Sequence, residues 1–152
     1  KRKIIISIMA SEKLEEKLTE LRVKKFAATL SGIAHFEILR STDASFAAHQ
    51  KANDECRMIG SVPLHSWSRP VDEDVILDFL CSRISRLSLN VHLLCEWPFI
   101  IKADIRDSFA FVRSTWQAKK RTDMTLYITS PAMVIQLKNL EYELAYFEVE
   151  AR

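Results

Sequence analysis

The stretch Asp104–Val149, DIRDSFAFVRSTWQAKKRTDMTLYITSPAMVIQLKNLEYELAYFEV, changes its hydrophobic period midway, and that change decides the fold class. Ile105, Phe109, Val112 and Trp116 recur at i, i+4, i+7 and i+11, which predicts one apolar face of a helix. Asp104 and Asp107 stand at its start, and Lys119, Lys120 and Arg121 close it, each sign matching the helix dipole. Past Asp123 the period falls to two. Met133, Ile135 and Leu137 alternate with Val134, Gln136 and Lys138, and Tyr142, Leu144 and Tyr146 alternate with Glu141, Glu143 and Ala145. A helix followed by antiparallel strands makes an α+β domain, with the helix packed on the sheet.

Working outward, the segment Lys1–Ser31 contains neither proline nor glycine. Ser11 with Glu15 and Glu16 behind it can open a helix, and Leu14, Leu18 and Leu21 follow at spacings of four and three. Carried backward, that register reaches Ile4; carried forward, it reaches Lys25 and Ala28. The seam is thus good for about two turns. Lys3–Met9 reads either as a strand feeding a helix or as part of one longer coiled coil. The mixed charges of Glu12, Lys13, Glu16 and Lys17 around the seam favour the coiled coil. Residues 1–31 are therefore expected to form a helical arm, with Gly32 ending it in a left-handed cap, and residues 32–152 a single domain.

Within that domain, Ile33–Arg40 reads as a strand and Ser41-Thr42-Asp43 as a turn. Ala44–His49 fits a return strand or a helical turn equally well, and Cys56–Val62 reads as a third strand. Pro63–Pro70 is the clearest loop and carries Trp67. Asp72 then caps a helix with Val75, Ile76, Phe79, Leu80, Ile84 and Leu87 at helical spacing. Leu87–Leu94 either prolongs this helix or forms a strand. Glu96-Trp97-Pro98 stops it, and a connector through Ile101 leads to the Asp104 helix.

Composition excludes several functions. The 152 residues are 48% hydrophobic and 28% charged, which is the balance of a folded domain, and a net charge of +2 does not by itself mark a nucleic-acid surface. No run approaches the roughly 20 apolar residues of a membrane span, and Lys1–Ala10 lacks the length and cleavage pattern of a secretory signal. Cys56, Cys81 and Cys95 are odd in number and form no C-x-x-C pair, so free thiols in a reducing, intracellular compartment are expected. Two glycines in the whole chain cannot supply a phosphate-cradling loop or a dinucleotide fingerprint. His35, His49, His65 and His92 show no metal-ligand spacing, although Cys56 with His65, or His92 with Cys95, could meet in the fold. No metal or cofactor is expected. Glu141, Glu143, Glu148 and Glu150 read as a solvated strand face rather than an acid–base pair. Lys1-Arg2-Lys3 with Lys24-Lys25, together with Trp67, Trp97 and Trp116 as stacking platforms, leave nucleic-acid binding as an alternative class. An enzyme without a readable motif is another.

The order of these elements, from coiled-coil end through short strands, a proline-bounded loop, helix, connector and long helix to antiparallel strands, resembles the RWD modules of the Knl or blinkin family. These modules lie at the C-terminal end of large outer-kinetochore scaffolds. The matching positions are Ile33–Leu39 for the first strand, Val62–Pro70 for the loop and Val71–Leu87 for the first helix. Asp104–Arg121 would be the second helix, with Met124–Leu137 and Tyr142–Val149 as the strands. The resemblance implies a non-enzymatic protein-binding scaffold in chromosome segregation. It would be nuclear, at the centromere, docking peptide segments of the MIND-type complex, with a helical partner or a second copy on the coiled-coil arm at Leu14, Leu18 and Leu21. Tyr142, Tyr146 and Phe147 on the last strand, and Trp67 in the loop, become the candidate partner-binding residues.

Overall fold

One antiparallel sheet organises the fold that this sequence adopts. The computed structural model describes residues 2–58, 60–119 and 123–152. In chain order it has helix α1 (Arg2–Ala28), strand β1 (Ile33–Arg40), a 3-10 turn (Ala44–Phe46) running into α2 (Ala47–Arg57), β2 (His65–Ser68) and α3 (Glu73–Leu87). There follow β3 (Asn90–Glu96), β4 (Phe99–Ile105), α4 (Ser108–Ala118), β5 (Met124–Thr129), β6 (Ala132–Asn139) and β7 (Glu143–Glu150). The seven strands form one antiparallel sheet in the order β1-β4-β3-β5-β6-β7-β2. The chain is thus α+β, with a long N-terminal helix.

Alternation assigns each strand residue a face. Val91, Leu93, Ile101, Ala103, Leu126, Ile128, Ile135, Leu137, Leu144 and Tyr146 point to one side, where α1, α3 and α4 cover them. Ile100, Tyr127, Val134, Ala145 and Phe147 point to the other, under Phe46, Ala52 and Cys56. A bidentate pair fastens α3 to β7: Arg83 Nε and Nη2 donate to Glu148 at 2.7 and 2.6 Å. Glu148, expected on a solvated strand face, is thereby half-sequestered.

Several expectations are corrected. The second helix begins at Ser108, not Asp104, because Asp104 and Ile105 belong to β4, where Asp104 lies opposite both His35 and Asn90. Its buried side is Phe111, Val112, Thr115 and Trp116, and Phe109 faces outward. Lys119 is its C-cap; Lys120 and Arg121 lie outside the described residues. The connector before it is strand β4, and Leu87–Leu94 divides between the end of α3 and β3. Of the third strand expected at Cys56–Val62, Cys56 and Arg57 instead end α2, Ile59 lies outside the described residues, and none of the others is in a strand, while the Pro63–Pro70 loop contains β2. Ala44–His49 is helical, and Arg2–Ala28 forms one continuous helix. Gly32 lies four residues beyond α1 and caps nothing; its carbonyl instead accepts from the Arg106 and Asp107 amides at 2.8 and 2.9 Å.

Both domain helices with readable starts are capped as the sequence suggests. Asp72 accepts from the Asp74 amide and Asp107 from the Ala110 amide, each at 3.0 Å. Asp107→Ala should therefore cost about 1 kcal/mol in urea denaturation, whereas Asp107→Asn should cost only a few tenths, ~0.3 kcal/mol. Equal losses for both would count against the cap.

Candidate interaction surface

α1 has two sides with different fates. Thr19, Val23 and Ala27, with Leu30 just past the end of the helix, are buried against the domain. Arg22 grips Glu96 with Nε at 3.1 Å from both carboxylate oxygens and Nη2 at 2.8 Å from Oε1, and Glu16 pairs with Arg40. At about 100° per residue, Leu14, Leu18 and Leu21 fall roughly half a turn from Val23. They are 60%, 48% and 54% exposed. The three leucines thus form a bare apolar stripe on the side of α1 away from the sheet. Ile4, Ile5, Ile6, Ile8 and Met9 are exposed as well, a cluster of which the heptad register selected only Ile4. Its signal was plain in the sequence as a run of isoleucines whose period fits no single face.

Charge frames the stripe. Lys13, Lys17 and Lys24 lie along one flank and Lys25 stands in the seam itself. Lys24 is joined to Glu20 at 3.0 Å. The segment from Ile4 to Glu15 is exposed all round and is held as helix only by its own propensity and its continuity with the packed part of α1, so a companion surface would stabilise it.

The strand residues expected to meet a partner are placed otherwise. β7 is the last strand in sequence but lies between β6 and β2, with both its edges paired. Tyr146 is fully buried and Phe147 is 5% exposed, on opposite faces of the sheet. Neither reaches the surface. Tyr142, in the β6–β7 turn, is 77% exposed. Trp67 lies on the outermost strand, half-buried, with its ring 5.1 Å from Phe79 in an edge-to-face contact. Of the sheet edges, β2 is four residues long, while β1 offers eight with no strand outside it.

Among the described residues no three metal-ligating side chains cluster, and no helix is long and apolar enough to cross a membrane. Burial pushes the Cys56 and Cys95 thiols up, away from the thiolate form a nucleophile needs. The cleft between α2 and the β3–β4 turn brings Asp54, Arg57, Cys95 and Trp97 together, and no histidine lines it. As stacking platforms the tryptophans are unequal: Trp116 is buried, Trp67 is packed on Phe79, and Trp97 is exposed at the β3–β4 turn. No family model, no curated protein and no solved structure matches the chain.

Proposed function

We propose that this chain is a non-enzymatic protein-interaction module whose projecting helix α1 receives a partner helix along Leu14, Leu18 and Leu21. The observation that carries the reading is the exposure of all three leucines on a helix whose other side is already committed to the domain. The basic flank selects the partner's chemistry. A second copy in parallel would set Lys17 near Arg22 of the other chain, and Lys25 against its equivalent in the seam. An amphipathic helix with acidic flanks relieves both conflicts. The kinetochore setting rests on the likeness of the element order read from the sequence to the Knl-type RWD modules, and on no feature of the fold. In that setting the domain docks subunits of the MIND-type centromere-linking complex and works in chromosome segregation.

The test replaces Leu14, Leu18 and Leu21 together by glutamine, an unbranched residue that keeps helix propensity. Burying three leucines contributes about 1.5 kcal/mol or more each, so capture of centromere-linked subunits from dividing cells should weaken by about a hundredfold or more. The melting temperature of the isolated chain should stay within about 2 °C, because these side chains already face water. Undiminished capture by the triple variant would refute the docking surface. Recovery of metabolic enzymes alone would refute the kinetochore setting.

A further inference from the structure

The 3-10 turn and α2 rest on the second face of the sheet, where Phe46 of the turn covers His92 and His49 of α2 reaches the Ile128 carbonyl. His92 on β3 and His49 on α2 are both buried. Nε2 of His49 lies 2.8 Å from the Ile128 carbonyl oxygen. A carbonyl can only accept, so Nε2 carries the ring hydrogen and Nδ1 is left as a buried lone pair without a partner. Nδ1 of His92 is also buried and unpartnered. Phe46 meets His92 edge-on with centroids 5.3 Å apart, and Tyr127 stacks on His49 at 5.2 Å. This slot suits neutral rings; an imidazolium in it would be a charge with no counter-ion.

The surrounding charges act in the same sense. Lys102 of β4 and Tyr127 of β5 stand opposite His92 in register. α2 brings His49, and the 3-10 turn brings Phe46. The nearest acid on the β1 side, Glu37, lies opposite Lys102 one strand farther out and pairs with His35 at 3.7 Å. Asp54 and Arg57 of α2 act on Tyr127 in opposite directions. Burial above all, then Lys102 and His49, hold His92 below the ordinary histidine range, with the Tyr127 backbone acting more weakly in the opposite sense.

We propose that residues Ala44–Arg57 form an acid-released latch, in which protonation of His92 lifts α2 from the sheet and bares the face of Ile100, Tyr127, Val134 and Phe147. The latch is a segment built to open. α2 has 11 residues, and its buried side is His49, Ala52, Asn53 and Cys56, small or polar groups that contribute little apolar burial. The sign follows from the depressed value of His92. Its contribution is complete above the unfolded value of about 6.5 and is lost as pH falls below that toward the folded value.

Hydrogen exchange tests this on the intact chain. Between pH 7.5 and 5.0, protection factors of the α2 amides should fall by about tenfold or more, while those of α3 on the opposite face hold. His92→Gln, neutral at both pH values, should abolish the fall. If that variant does not fold, Lys102→Met serves instead: removing the adjacent cation should shrink the fall in α2 protection. Constant α2 protection in the natural sequence, a parallel loss in α3, or a full-sized fall in both variants would each overturn the latch.

Discussion

Gly32→Ala should lose about 3 kcal/mol or more and lower the melting temperature by roughly 10 °C. The backbone at Gly32 has φ +69°, in the left-handed region that side chains disfavour. A Cβ there would lie 2.3 Å from the Asp107 carbonyl oxygen and 2.7 Å from the Phe111 amide nitrogen. Both are backbone atoms of the α4 N-terminus, so no side-chain rotation relieves the clash. The same joint carries the Gly32 carbonyl bonds to Arg106 and Asp107, and through them the approach of β1 to α4. Gly60 is the internal control. Its φ is +88°, yet a Cβ there meets nothing within 4 Å. Gly60→Ala should cost only the local strain, about 1 kcal/mol. Urea denaturation of the two variants separates the causes: similar small losses would mean that α4 and Gly32 are not in contact.

The glycine shows where local pattern stops being informative. Placed just after an apolar helix, it reads as a cap; the close approach that requires it comes from residues 75 and 79 positions away, Asp107 and Phe111. β4 was hidden for a related reason. In Phe99–Ile105 the alternation of Ile101, Ala103 and Ile105 with Lys102 and Asp104 covers only five residues, and Ile105 falls by coincidence four residues before Phe109, so the end of the strand reads as the start of the helix. α2 carries no apolar stripe because its buried side includes His49 and Asn53, the latter accepting from Gln136 at 3.3 Å. By contrast, β5, β6 and β7 are joined by short turns and keep period two, and α3 has both its cap and its stripe, so each was legible. The Leu14–Leu18–Leu21 spacing marks one face of a helix, and α1 is helical there. That this face lies bare was not legible, because which side of α1 packs on the sheet is set by the rest of the fold. Which strand forms the sheet edge was not legible either, because β2 pairs with β7 at a sequence separation of 75 positions or more, the least being from Ser68 to Glu143.

That topology sets the second large effect. Tyr146→Ala should destabilise the chain by about 3–5 kcal/mol, the cost of emptying a fully buried aromatic site. Phe79 packs edge-on against the Tyr146 ring at 4.9 Å, and the hydroxyl donates to Glu148 Oε1 at 2.5 Å, beside the Arg83 pair. Tyr146→Phe keeps the ring and loses the hydroxyl, so about 1–2 kcal/mol is expected. Tyr142→Ala, at an exposed turn, should stay within about 0.5 kcal/mol. Burial, and then the hydrogen bond to Glu148, push the Tyr146 phenol well above its usual value. A raised value means that its contribution is whole below the unfolded pKa of about 10 and is lost as pH rises beyond it. The natural chain should thus weaken at alkaline pH more steeply than Tyr146→Phe does. A Tyr146→Ala chain that melts like the natural one while binding partners less well would require Tyr146 to face solvent, which is incompatible with β7 paired on both sides.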